Sequence, residues 1–275
     1  MHEIARIVAL ILCLVSQSSW AGVALFQRLT DTIRLNSPTT LGTAATLEAR
    51  ILYTSTYNGG QDLYREWVDS VEDKHLAVTP TGIASGIAIE LHDVGPTLST
   101  STTISLHTWH HIAAVYDGAS VSLYLDGVRV ATESASGPIA NSSALPIFGG
   151  GQYETPTANS FIGYVDWFRM SSTARYGGAS FTPPSSQPAS DSNTVLLFYF
   201  DETSGSTTAA DQSSNHNNGT LGAGASGATS PEFISDPAPT ASVPTLTDSM
   251  LICLAVALAV TAGIVVRGRL TTFSA

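Results

Sequence analysis

Apolar and polar positions along most of this chain repeat in short bursts rather than in helical stripes. Runs of about four to eight residues rich in Val, Ile, Tyr and Thr stand between clusters of Gly, Pro, Ser and Asp, the pattern of an all-β sandwich or barrel. The stretch WHHIAAVYDGASVSLYLDGVRVA, residues 109–131, carries this pattern most clearly. Residues 111–116 and 121–125 predict two strands joined at Asp117-Gly118, and 128–131 a third after Asp126-Gly127. Asp-Gly pairs tolerate the positive φ that tight hairpins require. Val121, Leu123 and Leu125 fall on one face of the second strand, and Ser122 and Tyr124 on the other, because side chains alternate along a strand. Further strands are predicted at 49–54, 86–91, 161–170 and 195–200.

The two ends break the pattern. Arg6 precedes an apolar run over residues 7–15, and Ser19 and Ala21 follow at the small-x-small spacing that a signal peptidase accepts. Residues 1–21 are therefore predicted as a secretory signal helix, with a cut after Ala24 as the alternative. Bulky Leu12 before Cys13 argues against a lipoprotein signal. Residues 250–266 form an uncharged, mostly apolar run, near the lower limit of about 17 residues for a helical span. Arg267 and Arg269 follow, and positive charge stays on the cytoplasmic side. The pattern predicts a transmembrane helix at 250–266, a cytoplasmic tail at 267–275, and a body outside the membrane.

Charge narrows the partners. The 275 residues carry a formal net charge of −11, and Lys74 is the only lysine. Nucleic acid is excluded as a partner, since neutralising phosphates takes basic clusters. Cys13 and Cys253 both lie in the terminal apolar segments, so the body has no disulfide framework and no thiol chemistry. It must rely on its core, for which the intervening stretch is long enough as one domain.

The tail, VPTLTDSMLICLAV followed by apolar residues and RGR, resembles the IPTL-type C-terminal sorting signal of bacterial surface proteins. Val243, Pro244, Thr245 and Leu246 match the motif, and Arg267 and Arg269 its arginine cluster. Thr247-Asp248-Ser249 replaces the usual Ser-Glu-Trp. The resemblance implies an exosortase-like membrane protease as a partner. Pro244 would keep the segment extended, since proline cannot continue a helix.

The body resembles the laminin-G-like jelly rolls of the concanavalin A-like group. WHHIAAVYDGASVSLYLDGV is similar to their central hairpin, and FIGYVDWFRMSSTARY to a later strand carrying Gly163, Val165, Asp166 and Arg169. TVLLFYFDETSGSTTAADQSSNHNNGTL is similar to a third signature that usually opens such domains, yet here it comes last. The implied fold is a two-sheet antiparallel jelly-roll sandwich over 22–190. Residues 191–236 either complete it or form a truncated repeat, and 237–249 are a linker with the sorting motif.

Candidate chemistry is sparse. Enzymes of this fold cleave β-glucans with a Glu-x-Asp-x-x-Glu run, which gathers its acids on one sheet face. Here Asp166 stands alone, and the adjacent Asp201 and Glu202 should point to opposite faces. Glu66, Asp69, Glu72 and Asp73 have helical spacing and read as a solvated face or loop. His107, His110 and His111 lack zinc-site spacing and read as packing residues. The loop DQSSNHNNG is dense in the hard oxygen donors that Ca²⁺ prefers, although an ordinary Asn/Ser turn accounts for it equally well. The resemblance implies that related jelly rolls hold a structural calcium this way, which makes Asp211, Asn215 and Asp166 the candidate ligands. Tyr57, Tyr64, Trp67 and Tyr153 lie in loop-like stretches, where aromatics can stack on sugars. Trp109 and Trp167 fall in strands and are expected in the core.

The expectation is an exported, membrane-tethered or surface-sorted module that recognises a glycan or a surface protein without catalysis. A structural envelope component is the alternative, and a glycoside hydrolase a weaker one.

Overall fold

The structure is a computed structural model that describes residues 22–55, 61–68, 71–81, 84–150, 160–224 and 227–236. They belong to the first of two compact units, Met1–Pro237 and Ala238–Ala275. The predicted signal, span, tail and sorting motif lie outside the described residues. Among the described residues, no helix is long and apolar enough to cross a membrane.

The chain runs through β1 (Gly22–Phe26), β2 (Ile33–Leu35), β3 (Ala45–Tyr53), β4 (Gln61–Val68), β5 (Val71–Thr81) and β6 (Ala84–Leu91). It continues through β7 (Leu98–Ser99), β8 (Trp109–Tyr116), β9 (Ser120–Leu125), β10 (Val128–Ser134) and β11 (Ile147–Phe148). The last strands are β12 (Gly163–Ser171), β13 (Thr194–Phe198), β14 (Thr208–Ala209), β15 (Gly219–Leu221) and β16 (Glu232–Ser235). They form two antiparallel sheets of eight strands. The first has the order β10-β9-β8-β3-β12-β1-β16, with β13 also on β12, and the second β14-β15-β2-β11-β4-β5-β6-β7. The all-β sandwich expected from the alternation is the fold.

The Asp-Gly turns act as their chemistry requires. Asp126 and Gly127 both have positive φ, 50° and 79°, and join β9 to β10 as a two-residue turn whose twist matches that of the strands. The Asp126 carboxylate also accepts the His111 N–H at 2.9 Å and faces His110 Nδ1 at 2.7 Å. Asp117 accepts the Ala119 and Ser120 N–H groups at 2.9 and 2.7 Å. Those bonds, the Ala119 one foremost, outweigh partial burial and hold its carboxyl below the usual range.

Aromatic rings join the sheets. Phe148 lies 4.8 Å from Phe168 and 5.3 Å from Phe198, edge to face, while Tyr64 stacks on Phe168 at 5.2 Å. All four are fully buried, each contributing about 1.5–3 kcal/mol through removal of apolar surface.

Residues 191–236 contribute strands to both sheets. β13 takes one half of an edge of β12 and β1 the other half, while β15 pairs with β2 and β16 with β1.

Two expectations fail at β4. The stretch read as a solvated or loop segment is a strand hairpin, in which Glu66 is fully buried. Register shifts between Asp62 and Tyr64, and between Glu66 and Trp67, interrupt the period of two. The first inserts Leu63 into β4 and the second Asp73 into β5, and the acids are spread over both arms of the hairpin, so their spacing along the sequence does not mark a helix. Glu66 pairs with Lys74 at 3.0 Å, both side chains fully buried. Together they grip Thr39: Lys74 Nζ donates to its carbonyl at 3.1 Å, and Glu66 accepts its N–H at 3.2 Å and its hydroxyl at 2.6 Å. The only lysine thus serves as an internal clamp.

Candidate functional site

The outer face of the first sheet divides into a covered and an open half. Residues 172–193 form a strap over the covered half. Tyr176 and Phe181 stack at 3.6 Å and pack, with Ala174, on Ala113, Val115 and Tyr124. The strap is tied by Arg175, whose guanidinium binds both oxygens of Asp191 at 2.9 and 2.7 Å. That pairing, ahead of the opposing effect of burial, holds the Asp191 carboxyl well below the usual range.

Beneath the strap, Glu48 accepts from Arg169 Nε at 2.7 Å, from Tyr176 Oη at 2.7 Å and from His111 Nε2 at 3.1 Å. Burial alone would raise the Glu48 carboxyl, but the His111 bond, the Arg169 charge and the Tyr176 bond together hold it lowered. The same burial, with Glu48 beside it, pushes the Tyr176 phenol well above its ordinary value. His110 and His111 are packing residues, as expected, but each is matched to a carboxylate.

The open half carries a shelf. Trp109, Leu52 and Tyr164 occupy neighbouring positions on β8, β3 and β12. Trp109 and Tyr164 are half-buried, with ring centroids 6.5 Å apart. The Arg50 guanidinium lies over the Trp109 ring, 4.1 Å from its centroid. Arg50 Nη1 is 2.6 Å from Asp166 Oδ2 and 3.5 Å from Asp236 Oδ2. Gln187 Nε2 reaches from the strap to Asp166 Oδ1 at 3.4 Å and Asp201 Oδ1 at 3.3 Å. Burial, reinforced by the Asp166 charge, raises the carboxyls of Asp201 and Asp236. Trp109 Nε1 makes no hydrogen bond within geometric limits, yet its N–H is among the groups that favour an ionised Asp236. The pair is an electrostatic contact.

Trp109 was expected in the core, and nothing distinguished Tyr164. Both sit on strands whose two faces are apolar, so alternation alone does not set them apart. The only available signal is that the strap sequence is too short to cover the whole face.

The residues predicted as sites scatter. Tyr57 and Tyr153 lie outside the described residues. Tyr64 is a correction: it is fully buried in β4, where its ring joins the sheets and cannot stack on a ligand. Its phenol donates to Glu66 at 3.1 Å, and burial beside that charge pushes it well above its ordinary value. Trp67 belongs to β4, opposite Glu72, rather than to a loop.

The proposed calcium ligands do not assemble. Asp166 is engaged by Arg50 and Gln187. Asp211 accepts four hydrogen bonds, from Leu197 N at 2.9 Å, Ser213 N at 2.9 Å, Ser213 Oγ at 2.7 Å and Asn217 N at 2.8 Å. Asn215 turns its amide N–H to the Val195 carbonyl at 2.9 Å. Each carboxylate already faces hydrogen-bond donors, so the set fits a self-satisfied turn and does not fit a cation. Among the described residues, no group of three His, Cys, Asp or Glu side chains is placed to hold a metal ion.

That turn forms one wall of a cleft of about 450 Å³, opposite Ser37–Thr40 and floored by Val195 and Leu196. Asn217 staples the walls, accepting from Ser37 N at 2.8 Å and donating to Ser37 O at 2.7 Å. Its lining has no carboxylate, lysine or arginine and no aromatic platform beyond the His216 ring.

The two-sheet jelly-roll sandwich is the fold of the concanavalin A-like group, and the sequence comparison agrees. The chain belongs to the concanavalin A-like lectin/glucanases superfamily, whose laminin G family matches residues 27–177. No curated protein matches it significantly. Among solved structures it is similar to a Bacteroides ovatus protein proposed to bind carbohydrate, at 15% identity and a TM-score of 0.56, over 80% of this chain and 61% of that one. This chain therefore spans about three-fifths of that relative. It also matches domains LG4-5 of the mouse laminin α1 chain, at 14% identity and a TM-score of 0.44, over 61% of this chain and 48% of that one. A third match is the CBM40 of a Ruminococcus gnavus IT-sialidase bound to α2,3-sialyllactose, at 17% identity and a TM-score of 0.41, over 50% and 79%. At these identities the likeness is one of fold.

Proposed function

We propose that this protein is a non-catalytic glycan-binding module, exported and held at the cell envelope by its C-terminal segment. One observation carries the reading: two half-exposed rings, Trp109 and Tyr164, flank Leu52 on one sheet face with the Arg50–Asp166 pair beside them. Sugar rings present apolar C–H faces that stack on aromatic rings, and hydroxyl rims that seek charged or amide groups. Arg50, held flat by Trp109 and oriented by Asp166, and the Gln187 amide supply that polar margin. Asp166 and Asp236 both face the Arg50 guanidinium, and Asp201 adds a third negative charge near Asp166. The local field therefore favours a neutral glycan over an acidic one.

Against catalysis stands the use of these acids. Asp166 is spent on Arg50 and Gln187, while Asp201 turns to Gln187 and Glu202 to the Ala210 N–H at 2.6 Å. Glycoside hydrolysis needs two carboxyls facing one bond. Membrane attachment and processing by an exosortase-like protease rest on the tail sequence, residues 243–269.

The test is calorimetric titration of the purified full chain with neutral and acidic oligosaccharides, with and without chelator. Saturable binding of a neutral glycan, unchanged by chelator and weakened in Trp109→Ala, supports the reading. No binding across the panel favours the structural role. Turnover of a glucan, lost in Asp166→Asn, would make the protein a hydrolase.

A further inference from the structure

Gly22, the first described residue of β1, is wedged. A Cβ there would lie 2.8 Å from both the Asp201 Cα and the Phe200 carbonyl oxygen, closer than side chains approach. Gly22 pairs with Ser235, Val23 with Ile234 and Ala24 with Phe233. Val23 and Ala24 are fully buried. A cut after Ala24 would remove three rungs of that ladder and two core side chains. A cut after Ala21 keeps those three rungs.

The surroundings of Gly22 suit the terminus that the second cut creates. The Gly22 N–H lies near the Asp201 carboxyl and favours its ionised form. Phe200 holds a φ of 55°, an uncommon conformation for an aromatic residue that persists only where the surroundings enforce it, and it sets Asp201 against Gly22. Asp201 is open to solvent overall although its carboxyl is partly desolvated and meets Gln187, and it forms no ion pair with a cation among the described residues; Asp166 adds negative charge beside it.

We propose that export processing cleaves the chain between Ala21 and Gly22, and that the new α-ammonium is captured by Asp201, locking β1 into the first sheet. The step is peptide hydrolysis by a signal peptidase: water adds across the bond, Ala21 keeps the new carboxylate, and the Gly22 amine takes up a proton. Capture of the Gly22 amine does not depend on glycan binding.

Its test uses the chain's amine content. Lys74 is the only lysine and is fully buried, so an amine-reactive reagent reports the N-terminus alone. The full chain is expressed in a bacterium, and the exported protein is recovered from the membrane and mapped by mass spectrometry. An N-terminal peptide beginning at Gly22 is expected; one beginning at Leu25, or an intact Met1, overturns the proposal. Labelling at neutral pH should then be about tenfold slower than in Asp201→Asn, because an ion pair that raises the amine pKa by about one unit leaves about a tenth of the free base. Circular dichroism confirms that the variant is folded. Equal labelling rates would overturn the capture even with Gly22 at the terminus.

Discussion

The Arg50 guanidinium lies 4.1 Å from the centroid of the Trp109 ring while its Nη1 sits 2.6 Å from Asp166. One side chain therefore braces an aromatic platform and neutralises a buried acid. Arg50→Ala removes both, leaving Asp166 and Asp236 without their cation. Because the Arg50 side chain is 29% exposed, solvent screens part of the loss, and we expect about 1–3 kcal/mol of destabilisation in urea unfolding. Arg50→Lys should recover part of that stability but not the flat stacking on Trp109.

Glu48 gives the acid limb of stability. Its folded pKa lies below the ordinary 4.5, so its ionised form stabilises the fold at neutral pH. That contribution is fully present above the unfolded value and is lost as the pH falls through the folded one. Glu48→Gln should be less stable than the natural protein at pH 7, and the gap should close as the pH drops below about 4.5. Urea denaturation at a series of pH values measures it.

The Lys74–Glu66 clamp predicts strong non-additivity. Lys74→Met alone strands a buried carboxylate and should cost about 3–5 kcal/mol, whereas Lys74→Met with Glu66→Leu should cost less than the single change. A double-mutant cycle by chemical denaturation decides this. A single-variant loss under 1 kcal/mol would mean that the pair is solvated.

Asp211 predicts that stability is independent of calcium. Four protein donors already serve its carboxylate. Chelator should leave the thermal midpoint unchanged, while Asp211→Ala should cost about 2–4 kcal/mol by orphaning the buried N–H groups it serves. A midpoint that rises with added Ca²⁺ would contradict the assignment.

The β8–β9–β10 meander was legible because each of its turns carries a residue pair that only a hairpin uses, and because Val121, Leu123 and Leu125 alternate without interruption. β4 was hidden by its bulges. Leu63 is an extra residue in β4 and Asp73 one in its partner β5, and the interrupted alternation made Tyr64 look like loop. The Asp211 turn stayed ambiguous for a different reason: Asn, Ser and Asp supply oxygen donors to a cation and equally supply the caps of an ordinary turn. Trp109 and Tyr164 were passed over because strand residues with apolar neighbours on both faces read as core. Only the strap, Ala174 to Phe181, reveals how much of that face is covered.

The most direct measurement sets the shelf against the cleft. Using a neutral oligosaccharide that binds the natural protein, the affinities of Tyr164→Ala and His216→Ala are compared by calorimetry. Recognition on the sheet face predicts a loss of about tenfold or more, or at least about 1.4 kcal/mol, in Tyr164→Ala and none in His216→Ala. The reverse pattern, or equal affinities in all three proteins, would contradict it.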